Sequence, residues 1–181
     1  MATYHIGDKM PDFTRPTPFS PELRLYDALQ WVEGKTALIF LRYYGCPICQ
    51  LDLHEYAENY DQFTATGSQL LFVLQSDPKT LAEQITPVTF PYQIICDPEM
   101  KLYQELDIRP AASMAKMASF GMIPKIIRAS MRKFTHGAYE GNEQQLPAVF
   151  VLDREGRITY AHYARHVTDI PSPEALAELM K

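Results

Sequence analysis

An α/β fold around a mixed β-sheet is what this chain of 181 residues predicts. Three observations carry that reading. Short apolar runs rich in β-formers alternate with runs of helical period. Two later apolar runs are joined by a tight turn, as in a hairpin. A last helix-like run follows them, so strands and helices alternate first and a hairpin closes the sheet.

The first two dozen residues carry Pro11, Pro16, Pro18 and Pro21 and read as extended or turning chain. Residues 22–33 look like a short strand and a helical turn. Thr36 to Tyr43 is a continuous apolar run bounded by Gly34-Lys35 and Gly45, as expected of a strand covered on both faces. From Pro47 to Phe63 the period becomes helical, with Ile48, Leu51, Leu53, Tyr56, Tyr60 and Phe63 recurring and Pro47 in the first turn. Leu70–Leu74 is a second buried strand. Ser76 or Asp77 can cap a helix over Lys79–Ile85. Tyr92–Ile95 reads as a short strand and Pro98–Leu106 as a helix. Regularity lapses over residues 109–145, a Met-rich, mildly basic helical stretch followed by a polar loop, His136 to Gln145. It resumes with a strand at Pro147–Leu152, a turn at Asp153-Arg154-Glu155-Gly156 and a strand at Arg157–Tyr163. Ser172–Met180 closes the chain as a helix. We expect a single domain over 1–181, with 109–145 inserted ahead of the hairpin.

Composition narrows the function. A formal net charge of -5 leaves no electrostatic footprint for nucleic acid. No apolar run approaches the roughly 18 residues needed to span a bilayer. Met1-Ala2-Thr3-Tyr4-His5 lacks a charged region followed by an apolar stretch, so no secretory signal and a cytoplasmic location are expected. Three cysteines do not make a disulfide framework; in a reducing compartment a CxxC pair points to catalysis or metal binding.

The chemistry concentrates in Arg42-Tyr43-Tyr44-Gly45-Cys46-Pro47-Ile48-Cys49. Two thiols stand between a buried strand and a helix N-terminus, where unpaired backbone N–H groups and the dipole favour a thiolate. Cys46 would sit near the N-cap and attack; Cys49, one turn in, would resolve. A peroxide would turn Cys46 into a sulfenic acid that Cys49 condenses with. A disulfide substrate would be attacked by Cys46 and the mixed disulfide resolved by Cys49. Spacing alone does not separate the two. Arg42 could stabilise the thiolate or a peroxide oxygen. Pro147 reads either as the start of a strand or as a cis-proline beside the thiols. A zinc site would need His54 and Cys96 to converge on the pair. Cys96 otherwise reads as a small residue at a strand end, His54 as a packed helix residue and Arg165 as a surface cation. Met114, Met117, Met122 and Met131, with Lys116, Lys125, Arg128, Arg132 and Lys133, could form a basic amphipathic face for a membrane or partner. A core-facing helix with a solvated rim is the preferred reading, and a lid or homodimer contact near the thiols an intermediate one.

These residues resemble the peroxiredoxins of the alkyl hydroperoxide reductase and thiol-specific antioxidant family, over most of the chain. Ile6-Gly7-Asp8-Lys9-Met10-Pro11-Asp12-Phe13 is similar to that family's opening. Phe40 to Pro47 is similar to its active-site strand, Phe90-Pro91 through Asp97-Pro98 to its central strand and turn, and Pro147 to Ile158 to its hairpin. The resemblance implies a thioredoxin-like fold, a central mixed β-sheet flanked by helices, with Cys46 as the peroxidatic cysteine. The resemblance leaves the substrate open; a peroxide or disulfide substrate and a thioredoxin or glutathione type reductant are expected, with no cofactor and no metal. Two departures stand out. Ile39 and Tyr43 hold positions where the family usually carries a proline and a Thr or Ser, and Pro147 stands near the place of a family Arg. With its CPxC pair, the chain is similar to a peroxiredoxin-like subgroup of that pattern. The expected function is a thiol-dependent peroxidase; a disulfide reductase and an inactive binding protein of the same fold are the alternatives.

Overall fold

The computed structural model describes residues 3–118 and 121–181. Met1 and Ala2, which begin the stretch read for a secretory signal, and Ser119 and Phe120, within the 109–145 insertion, lie outside the described residues. The elements run β1 (Thr14–Arg15), β2 (Leu23–Arg24), α1 (Leu25–Ala28), β3 (Thr36–Phe40), α2 (Pro47–Glu58), α3 (Asp61–Thr64), β4 (Gln69–Leu74) and α4 (Pro78–Ala82). They continue with β5 (Gln93–Cys96), α5 (Lys101–Glu105), α6 (Met114–Met117), α7 (Met122–Met131), β6 (Ala148–Leu152), β7 (Ile158–Tyr163) and α8 (Pro173–Leu179).

A five-stranded mixed sheet in the order β5-β4-β3-β6-β7 forms the centre. The β3–β4 and β4–β5 pairs are parallel and the β3–β6 and β6–β7 pairs antiparallel. Both predicted features, a parallel half joined by helical crossovers and a closing hairpin, are therefore present. Side chains alternate to two cores. Ala37, Ile39, Leu41, Phe72 and Val149 pack with α2 and α8, while Leu38, Phe40, Val73 and Phe150 pack with α1 and α5. The Tyr103 hydroxyl of α5 donates to the carbonyls of Leu41 (2.6 Å) and Val73 (2.9 Å), sealing the carboxyl ends of the two central strands.

Several helices are shorter than the sequence predicts, for local reasons. The run from Pro47 to Phe63 breaks at Asn59, whose φ of −108° leaves the helix, so α3 is a separate turn. The helix expected over Pro98–Leu106 starts at Lys101, because Met100 adopts a left-handed φ of 56° and the buried Asp97 carboxylate accepts from the Lys101 and Leu102 amides. Of the two candidate caps for α4, Asp77 takes the role, accepting from Lys79 and Thr80. Every described peptide bond is trans, so the reading of Pro147 as a cis-proline is corrected; Pro147 leads into β6 and its carbonyl accepts from the Ala164 amide.

The basic helix is also settled. Lys125 and Arg128 of α7, and Arg132 that caps its C-terminus, pair with Asp52, Glu55 and Glu58 of α2 at 2.5, 2.5 and 2.6 Å. The structure favours the reading of a helix packed on the core with a solvated rim: these cations are paired with α2, Lys125 half-buried and Arg132 at the surface. Ile123, Ile126, Ile127 and Met131 are exposed instead. Among the described residues no helix is long and apolar enough to cross a membrane.

Candidate active site

Cys46 stands where β3 has ended and α2 begins. Its φ and ψ, −80° and 120°, are those of an N-cap, and Pro47 follows as the first helical residue. The cap has an unusual acceptor: the Cys46 sulfur takes the Cys49 amide at 3.3 Å. Leu41 still bonds to Val73 beyond the end of β3, so the segment leading to the thiol is held against β4.

Arg42 supplies the charge. Its Nη2 lies 2.8 Å from Cys46 Sγ, and its Nη1 donates to the Glu143 carbonyl at 2.8 Å. The side chain is only 7% exposed, and its Nε is buried with no partner in the protein. A guanidinium at hydrogen-bond distance in a dry site is worth far more to a thiolate than one in water. Hydrogen bonding from the Cys49 thiol, opposed by burial and reinforced by Arg42 and the Cys49 and Ile48 amides, lowers the Cys46 thiol to about 7. Cys49 goes the other way, pushed well up by burial and by the neighbouring Cys46. The two thiols are thus differentiated before any oxidant arrives: one is a ready nucleophile, the other a reserve of protonated sulfur. All three cysteines are free.

Tyr43 points its phenol at His136, Oη to Nε2 at 3.0 Å, and the His136 Nδ1 lies 2.7 Å from the Gly137 carbonyl. If Nδ1–H donates to that carbonyl, Nε2 is left to accept from Tyr43. Burial and the Glu143 carboxylate keep the Tyr43 phenol strongly protonated. Gly137 donates to the Gly45 carbonyl at 2.8 Å, and Asn142 to the Gln75 side chain at 2.5 Å. The polar segment 135–145 therefore lies across the carboxyl ends of β3 and β4, directly above the thiols.

The structure brings together Arg42, Cys46 and Cys49. Pro147 opens the strand paired with β3, where Ala148 faces Phe40, and it lines a cavity of about 270 Å³ with Thr3, Asp107, Ile108, Arg109, Leu146, Tyr163 and Ala164. His54 is packed between the rings of Phe90 and Phe134 rather than turned to the thiols. Cys96 ends β5, its thiol pushed up to about 12 by burial. Arg165 is exposed and pairs with Asp169. Among the described residues no three His, Cys, Asp or Glu side chains gather as a metal-binding group. Sequence reasoning missed His136, Glu140 and Glu143. The one available signal was the polar run from His136 to Gln145, broken by Gly137 and Gly141, but its docking on the thiols is purely tertiary.

A family model described as AhpC/TSA matches residues 6–161. Peroxidoxin BcpB from Mycobacterium tuberculosis is similar in structure, with a TM-score of 0.68 at 15% identity over 96% of this chain and 95% of that one. PrxQ from Xylella fastidiosa, in a cysteine-to-serine mutant, gives 0.68 at 15% identity over 98% and 96%. A yeast mitochondrial 1-Cys peroxiredoxin gives 0.65 at 16% identity over 96% and 74%. At such identities these likenesses establish the fold. No curated protein matches the chain.

Proposed function

Because the chain belongs to the AhpC/TSA family of thiol oxidoreductases, we propose that it is a thiol-dependent peroxidase in which Cys46 attacks and Cys49 resolves. The observation that carries this reading is the Arg42 guanidinium 2.8 Å from the N-capping Cys46 sulfur. The Cys46 thiolate attacks one oxygen of the hydroperoxide and breaks the O–O bond. The sulfur is oxidised to a sulfenic acid, and the other oxygen leaves and takes a proton as water or an alcohol. Arg42 holds the thiolate, and its unpartnered Nε is the donor left for the peroxide oxygens. The Cys49 sulfur then attacks the sulfenic sulfur, water departs, and the Cys46–Cys49 disulfide forms. A reductant of the thioredoxin or glutathione class reopens it. The yeast relative's thiol is resolved via glutathione/thioredoxin systems, and a reducing compartment such as the cytoplasm suits a cycle that starts from free thiols. Pro147 contributes by fixing the start of β6 next to the thiol-bearing strand.

A disulfide reductase is the second reading, favoured by the CxxC pair itself. The burial of Cys46 weighs against it: a protein disulfide needs room beside the attacking sulfur, and here Gly137 occupies the Gly45 carbonyl and Cys46 is 1% exposed. Mixing reduced protein with stoichiometric hydrogen peroxide tests the choice. Two thiols should be consumed much faster than free cysteine reacts; a rate no faster than free cysteine counts against the peroxidase. Cys46→Ser should abolish the reaction, and Cys49→Ser should leave a sulfenic acid trapped by dimedone. Acceleration of insulin reduction over dithiothreitol alone would instead support the reductase.

A further inference from the structure

We infer that residues 135–145 are a gate over Cys46, latched by Glu140, and that this gate sorts oxidants by size. The segment crosses the site as a strap fixed at both ends. On one side it leaves α7, where Lys133 takes a left-handed φ of 60° and Phe134 bonds back to Ala129. On the other it is tied where Ala111 donates to the Gln144 carbonyl and the Gln145 side chain donates to the Ile108 carbonyl.

Between those ends the strap is held by polar contacts. Thr135 to Tyr139 and Gly141 are exposed and Glu140 is half-buried, so no apolar side chain of this stretch is buried in the core. Segments held this way open at the low end of the free-energy range for local unfolding. The latch is the Glu140 carboxylate, whose Oε2 accepts from the Ser76 hydroxyl at 2.8 Å and whose Oε1 accepts from the Asp77 amide at 2.9 Å. Beside it, two glycines let the backbones meet: a Cβ on Gly45 would stand 2.6 Å from the Ala138 carbonyl oxygen, and one on Gly137 would stand 3.1 Å from the Gly45 Cα. Under this cover Cys46 is 1% exposed although its thiol is ready to react. Reagents therefore reach it either by slipping past the closed strap or by waiting for it to lift. Lifting also removes the Glu143 carbonyl from Arg42.

Alkylation of Cys46 by iodoacetamide and by fluorescein maleimide, followed on the Cys46 peptide by mass spectrometry, tests the gate without turnover. In folded wild type the bulky-to-small rate ratio should fall at least about tenfold below that of urea-unfolded protein, and Glu140→Ala, which removes both latch bonds, should recover about tenfold or more. Equal ratios in folded and unfolded wild type, or no change in Glu140→Ala, overturn the gate. Should Glu140→Ala lose cooperative unfolding, Ser76→Ala, which removes one of the two latch bonds, decides in its place. The sorting of oxidants rests on the peroxidase reading. There the rate ratio of cumene hydroperoxide to hydrogen peroxide should rise in Glu140→Ala, and an unchanged ratio overturns it. Failure of the peroxidase reading would show separately, as peroxide reactivity no greater than free cysteine with the alkylation result intact.

Discussion

A buried cysteine is ordinarily inert, because taking a thiolate out of water favours the protonated form. Cys96 shows that rule, raised to about 12. Cys46 escapes it because several donors converge on its sulfur: the Cys49 thiol, the Nη2 of Arg42 and the first free amides of α2. Two outcomes follow at this scale. The rate of iodoacetamide alkylation at Cys46 should rise with pH around a midpoint of about 7; a midpoint at the free-cysteine value of roughly 8.5 would contradict the geometry. In Arg42→Met the midpoint should move up by about one to three units, the usual effect of losing an adjacent opposite charge, and the rate at neutral pH should drop accordingly. Arg42, Cys46 and Cys49 were legible from sequence, because a CxxC between an apolar run and a proline-led helix fixes the thiols in space. Tyr43 was legible only as a departure; what it does instead, bonding to His136, depends on a segment 93 residues away.

Among the elements, α2 and α7 carry a graded set of ion pairs. Asp52 and Lys125 have side chains 4% and 14% exposed, whereas Glu58 and Arg132 are 56% and 36% exposed. Burial decides what each is worth. Lys125→Ala strands a carboxylate in the interior and should cost about 3 kcal/mol or more. Arg132→Ala breaks a solvated pair and should cost under about 1 kcal/mol. Urea titration of both variants checks the contrast; equal losses would mean that the inner pair is effectively hydrated. A second expectation concerns Asp97, which is 1% exposed and binds the Lys101 and Leu102 amides and Arg15. Asp97→Ala should cost about 2–3 kcal/mol by leaving buried donors unpaired, read from the same titration. This carboxylate explains why the start of α5 was misjudged from sequence. Pro98 looked like a first-turn residue, yet the helix waits until the chain has turned past Met100 under Asp97. Strands were read closely because their apolar runs report burial on both faces directly. Helix ends were not, since caps act through side chains whose targets the pattern does not reveal.

For the whole molecule, the thiolate links catalysis to stability. Cys46 has a folded pKa below its unfolded one, so its contribution is full above roughly pH 8.5 and is lost as pH falls through about 7. Cys49, raised by burial, stays protonated in the folded chain across that window, and the ionisation of its unfolded thiol near roughly 8.5 acts equally on wild type and Cys46→Ser, so it drops out of their difference. Reduced wild type should therefore gain on Cys46→Ser by about 2 kcal/mol between pH 6 and 8.5, measured as the difference in their urea midpoints. A difference flat with pH would mean that the thiolate is no better placed than in the unfolded chain. The sheet that supports this balance was predictable as mixed, because the alternating half and the hairpin are separate signals. The strap was not, because nothing in a polar run of ten residues states which surface it will cover.

The central strand has a consequence in time. β3 pairs with β4 soon after it in sequence, but its other neighbour, β6, begins at Ala148, opposite Phe40. The strap ends only just before that point. On a ribosome adding about 5–20 residues per second, Cys46 thus spends several seconds outside its finished pocket. Throughout that interval it should titrate as an ordinary thiol, because the strand that carries Arg42 toward the sulfur lacks its β6 partner. A fragment ending before residue 148 should accordingly show Cys46 titrating near the free-cysteine value, and a midpoint near that of the whole chain would refute this. On this account the newborn chain is chemically quiet until β6 has been made and laid against β3.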